Sequence, residues 1–82
     1  DKNTNEERLK KIISKQLGIK KEKIDGTTLI MDQSLTRPWG KLMDLFNALH
    51  REFDVDFPVD DISKLTTVQK VLNYINYHQE NT

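Results

Sequence analysis

Three stripes of apolar residues, each spaced by three and four positions, restrict this chain to a helical fold. Leu9, Ile12, Ile13 and Leu17 make the first. Leu42, Leu45, Phe46, Leu49 and Phe53 make the second, and Val68, Val71, Leu72 and Ile75 the third. An α-helix completes a turn every 3.6 residues, so positions spaced this way share one face, and that face needs a partner to cover it. Thr4 and Glu7 match a capping box that would start the first helix, and Gly18 ends it. Pro38 suits the first turn of the second helix, where a missing N–H costs nothing. Thr66-Thr67-Val68-Gln69 offers a further capping box ahead of the third. Between the second and third stripes, Val59 to Lys64 has room for one short turn of helix after Pro58.

The stretch from residue 18 to residue 37 lacks helical periodicity. Asp25-Gly26 marks a turn within it, and Leu29, Ile30, Met31 and Leu35 are its apolar anchors. A structureless connection of this length is uncommon in a small domain, so it is expected to pack on the core or to have a task of its own. The expected architecture is all-α: long helix, long loop, helix, short helix, helix, a small four-helix bundle. Eighty-two residues allow one domain with one modest core, taken to span 1–82.

Several chemistries are excluded by composition. With no cysteine there is no disulfide framework, thiolate metal site or cysteine nucleophile. His50 and His78 are too few and too far apart to suggest a zinc site. Thirteen basic residues balance thirteen acidic ones, so overall charge does not direct the chain to nucleic acid or anionic lipid. No apolar run approaches the ~20 residues a membrane helix needs, and no secretory signal is visible. A start at Asp1 rather than Met reads as a trimmed or processed product, in which a targeting segment would not be seen.

The order of elements and four local segments resemble the acyl carrier protein family over nearly the whole chain. Glu6-Glu7-Arg8-Leu9-Lys10-Lys11-Ile12-Ile13 with Gln16-Leu17-Gly18-Ile19 is similar to that family's first helix. Asn47-Ala48-Leu49, Glu52-Phe53-Asp54 and Phe57-Pro58 resemble the end of its second helix and the turn after it. Leu65-Thr66-Thr67-Val68-Gln69 with Tyr74-Ile75 resembles its last helix. The resemblance implies a non-enzymatic carrier. Family members bear 4′-phosphopantetheine on a serine within an Asp-Ser-Leu motif at the start of the second helix. Acyl groups ride on the arm as thioesters. A helix N-terminus suits the phosphodiester, since its free N–H groups and dipole both favour an anion.

Here the chain departs from the family pattern. Counting back from Glu52-Phe53-Asp54, the serine position falls on Trp39, with Pro38 and Gly40 beside it. Tryptophan has no hydroxyl to accept the arm. In a second register, Asp32-Gln33-Ser34-Leu35 resembles the motif with one residue inserted, and Ser34 would carry the phosphopantetheine. The first register needs only a one-residue insertion in the long loop and keeps Leu45, Leu49 and Phe53 on core positions. The family's second helix is usually strongly acidic where it docks on basic enzyme patches. The outward positions here, Lys41, Asp44, Asn47, His50 and Arg51, are mixed in sign.

The expectation is therefore a carrier-like domain without cofactor that acts by protein–protein binding. Trp39, Lys41, Met43, Asp44, Asn47, His50 and Arg51 are its candidate contact residues. Trp39 could anchor a partner or plug the cleft where an acyl chain would enter. The resemblance implies helical partners docking on the second helix, no nucleic acid, no membrane insertion and a monomer on its own. Mitochondrial-type members also support small helical proteins in iron–sulfur assembly and respiratory complexes, which would place the domain in the mitochondrial matrix. A bacterial or plastid-type soluble compartment is equally compatible with the family. The alternative is a working carrier modified at Ser34, serving fatty-acid or polyketide-type synthesis.

Overall fold

In the computed structural model, the described residues are 2–31 and 38–80, with side chains described for 5–31 and 38–79. They form four α-helices: α1 (Lys2–Leu17), α2 (Trp39–Phe53), α3 (Val59–Ile62) and α4 (Val68–Glu80), with a 3-10 turn at Lys21–Lys23. No strand occurs among them; one isolated bridge joins Leu29 to Thr67. The radius of gyration is 11.7 Å, against roughly 12 Å for a compact chain of this length.

The three apolar stripes meet in one core. Leu9, Ile13, Leu45, Leu49, Val71 and Ile75 are wholly buried, and Leu42, Phe46, Phe53, Val68 and Leu72 nearly so. Ile12 and Leu17 pack against its edge. At the open end of α1, Asn5 donates to Asn76 Oδ1 at 2.8 Å and to Gln79 Oε1 at 2.7 Å, tying α1 to α4. Arg8 crosses to α2, where it donates to the Glu52 carboxylate and to the Glu52 carbonyl, both at 2.7 Å. Its guanidinium also lies 4.7 Å from the Phe53 ring centroid. α1 therefore lies between α2 and α4.

The helix ends follow the sequence in part. Gly18, at φ +70°, closes α1 by donating its N–H to the Ser14 carbonyl at 3.0 Å. This left-handed conformation is why glycine stands there. α2 ends in the same conformation without glycine: Asp54 sits at φ 56° and donates to the His50 carbonyl at 2.9 Å. Pro38 is the residue just before α2, one position earlier than expected, and its carbonyl accepts from Lys41 and Leu42. α1 starts at Lys2, so Thr4 lies inside the helix and is not its cap. Nothing from Lys2 to Asn5 stops a helix, and Glu7 is engaged elsewhere, paired with Lys21 at 2.7 Å. That cation holds the Glu7 carboxyl below its ordinary range. At α4 the cap is Thr67, not Thr66. Its hydroxyl accepts the Lys70 N–H at 3.3 Å, while Gln69 donates instead to Asn73.

The long connection packs on the core, as expected of a segment with no periodicity of its own. The Asp25 carboxylate accepts from both the backbone N–H and the hydroxyl of Thr27, which closes the Asp25-Gly26 turn and lowers the Asp25 pKa. The Val68 N–H then bonds the Thr28 carbonyl, and the Ile30 N–H bonds that of Thr66. Ile30 is buried as expected and Met31 partly so. Leu29 is 39% exposed, because the bridge to Thr67 holds its backbone at the surface. Ile24, which carried no signal in the sequence, is buried instead. Leu35 lies outside the described residues.

Candidate functional site: the groove between α2 and α3

α2 has its core face at Leu42, Leu45, Phe46, Leu49 and Phe53, and the remaining positions divide into two shoulders and a crest. Trp39, Met43 and His50 lie along the shoulder towards α3, since residues three and four apart stack on a helix. Lys41, Ala48 and Glu52 lie along the shoulder towards α1, and Asp44 and Arg51 near the crest. The candidate contact residues are thus spread over the exposed half of α2. All but half-buried Met43 are exposed.

A groove of about 410 Å³ runs beside the α3 shoulder. Its α2 wall is Met43, Phe46, Asn47 and His50. The opposite wall comes from Asp56, Phe57, Pro58 and Ile62. Phe46 and Phe57 meet across it with ring centroids 5.2 Å apart, and Phe57 stacks in turn on Tyr74 of α4 at 5.2 Å. The groove therefore has an apolar aromatic floor anchored in the core. Two large apolar side chains stand exposed on the elements that bound it: Trp39, 51% exposed one turn before Met43, and Val59, 56% exposed in α3. Of the expected site residues, Met43, Asn47 and His50 line this groove. Arg51 instead lines a second depression against α1, with Ile12, Lys15, Gln16, Ala48 and Glu52. Trp39, Lys41 and Asp44 line neither.

The loop that forms the far wall is held from both helices. His50 Nδ1 lies 3.0 Å from the Val55 carbonyl and 3.4 Å from the Asp56 carboxylate. Tyr74 donates its hydroxyl to Asp61 Oδ2 at 2.8 Å, with the Asp56 carbonyl at 3.2 Å. Burial, together with the bond to Asp61, pushes the Tyr74 phenol up to about 12. His78 packs on the Tyr74 ring with centroids 4.2 Å apart. From Glu52 to Ser63 the chain carries Glu52, Asp54, Asp56, Asp60 and Asp61 and no lysine or arginine. Among the described residues only Glu52 of these five has a lysine or arginine partner.

No group of histidine and carboxylate side chains able to hold a metal occurs among the described residues. No helix among them is long and apolar enough to cross a membrane. Ser34, the arm site of the alternative register, lies outside the described residues. The far wall was not singled out in the sequence as part of a site. Its one signal was Phe57-Pro58, an aromatic and a proline directly after an amphipathic helix. No model of a known protein family matches the sequence.

Proposed function

We propose that this chain is a non-enzymatic domain of the acyl carrier plan that lacks the prosthetic arm and works by binding another protein. The observation that carries the reading is Trp39. It occupies the first residue of α2, where the resemblance calls for the modified serine, and half of its surface faces solvent. A plug would be buried. An exposed tryptophan one turn before Met43, which lines the apolar groove, suits a contact anchor, because large rigid aromatics gain most from being covered. Pro38 and Gly40 on either side supply no hydroxyl either. The order long helix, packed loop, helix, short helix, helix agrees with the plan. The groove supplies apolar surface for a helical partner in place of a buried acyl chain.

The decisive experiment is a mass measurement. Incubated with coenzyme A and a broad-specificity phosphopantetheinyl transferase, the wild-type chain gains no mass. A gain that Ser34→Ala abolishes would replace this reading with that of a working carrier. The triple change Pro38→Asp, Trp39→Ser and Gly40→Leu, which restores the motif at the start of α2, should render the domain at least partly modifiable.

A further inference from the structure

We infer that the depression between α1 and α2 is a separate docking site that takes an acidic segment of a partner protein, an apolar side chain flanked by glutamates or aspartates. It lies on the shoulder of α2 towards α1. It therefore goes beyond the reading of Trp39 and holds whether or not the chain carries an arm.

The apolar part of the lining is Ile12 of α1, partly buried against the core, and Ala48 of α2. Lys15 of α1 and Arg51 of α2 line the two walls, and both are exposed. Among the described residues neither has a carboxylate partner. The third charged residue of the lining, Glu52, is taken up by Arg8 at 2.6 Å, and Arg8 does not itself line the depression. The uncompensated charge of the lining is thus positive. Asp44, one turn before Ala48 on α2, stays outside the lining.

The volume is about 270 Å³, below the roughly 300–1,000 Å³ of small-molecule pockets. That space suits side chains of a docked segment better than a free metabolite. A nucleic-acid backbone or an anionic membrane calls for a broad basic field, which two cations beside Glu52 and Asp44 do not make. Carboxylates do fit the pair: the Arg51 guanidinium can offer one of them two parallel N–H bonds, and the Lys15 ammonium is a point charge for the next. The Arg8 bonds to the Glu52 carboxylate and carbonyl tie the two walls together, so the site is formed before a partner arrives. The apolar contact supplies affinity, and the cations set selectivity and association rate.

The test uses two synthetic tryptophan-free peptides with the same leucines at i and i+4, flanked in one by glutamates and in the other by lysines. Affinity is read by anisotropy of the labelled peptide, and position by backbone amide shifts of the isotope-labelled chain. At low salt the glutamate peptide should bind about ten-fold more tightly, the scale of two exposed ion pairs, with the difference shrinking at high salt. The amides of Lys15, Gln16, Ala48 and Arg51 should shift. Trp39, the only tryptophan, should keep its emission, because it does not line this depression. Lys15→Gln with Arg51→Gln should bring the two peptides close to parity, whereas Lys64→Gln with Lys70→Gln, the same loss of charge elsewhere, should leave the preference standing. Equal affinities in the wild-type chain, a preference for the lysine peptide, or equal effects of the two double variants would overturn the inference. So would a blue shift of Trp39, which would move the peptide to the α3 side. Binding to phosphatidylglycerol vesicles that needs Lys15 and Arg51, without any peptide preference, would assign the depression to a lipid surface instead. A mass gain at Ser34 would defeat the armless reading without touching this comparison.

Discussion

Gly18 and Asp54 pose the same backbone problem at the ends of α1 and α2, and the chain solves it with two different residues. Both lie in the left-handed region, where a Cβ costs roughly 1–2 kcal/mol. Nothing lies within 4 Å of a Cβ built on Gly18, so Gly18→Ala isolates the backbone term and should destabilise by about 1 kcal/mol. Asp54→Gly should act in the opposite direction. It relieves the conformation and removes an anion from the negative end of α2, against a greater entropy in the unfolded chain. The net gain is up to about 1 kcal/mol. Urea midpoints of the two variants check both signs, and a loss in Asp54→Gly would mean the carboxylate has a partner worth more than the strain. Tyr74 makes a pH prediction. Its folded pKa is raised to about 12, above the ~10 of an exposed phenol. The folded state therefore holds the proton more tightly, and the contribution is whole below pH ~10 and lost as pH rises through about 12. Tyr74→Phe should flatten that alkaline limb in denaturant midpoints taken across the range. An unchanged limb would mean another group titrates there.

At the scale of the elements, periodicity carries most of the stability. Leu45, Leu49, Val71 and Ile75 have no exposed surface and Phe53 only 4%, so truncating each to Ala should cost about 2–5 kcal/mol. Lys41→Ala and Arg51→Ala on the same α2 should stay within about 0.5 kcal/mol. Equal costs in the two groups, read by thermal melting, would mean the helix faces are wrong. The stripes were legible because burial of a helix face leaves its spacing in the chain. The ends were less so: Thr4 and Thr66 satisfy a capping pattern, yet α1 starts before one and α4 caps on the residue after the other. A cap pattern names residues able to cap, and the tertiary bonds of the neighbouring backbone choose among them. In the long connection, the bonds from Val68 to Thr28 and from Ile30 to Thr66 decide which side chains turn inward. Those partners lie some forty residues away. Hence Ile24 is buried and Leu29 half outside, although the sequence singles out Leu29.

For the whole molecule, the groove is a product of three elements, and the sequence exposed only one of its walls. Met43, Asn47 and His50 could be placed on one helix by counting, but Phe57 and Ile62 face them across the groove with the intervening loop held by Tyr74 and His50. The role of Trp39 is the property that only the assembled molecule can reveal. If its exposed half is an anchor, Trp39→Ala removes little that the folded domain uses. Melting should shift by less than about 0.5 kcal/mol. Affinity for a protein partner should fall by ~2 kcal/mol or more, as for a central aromatic contact. Arg51→Glu, on the crest and outside the groove, should act chiefly on salt-sensitive association. A plugging tryptophan makes the reverse forecast, a lower melting temperature with affinity nearly unchanged, and its 51% exposure argues against that. Melting and affinity measured on the single Trp39→Ala variant separate the two. No change in either would leave the first residue of α2 without a role, and with it the interaction reading would lose its main support.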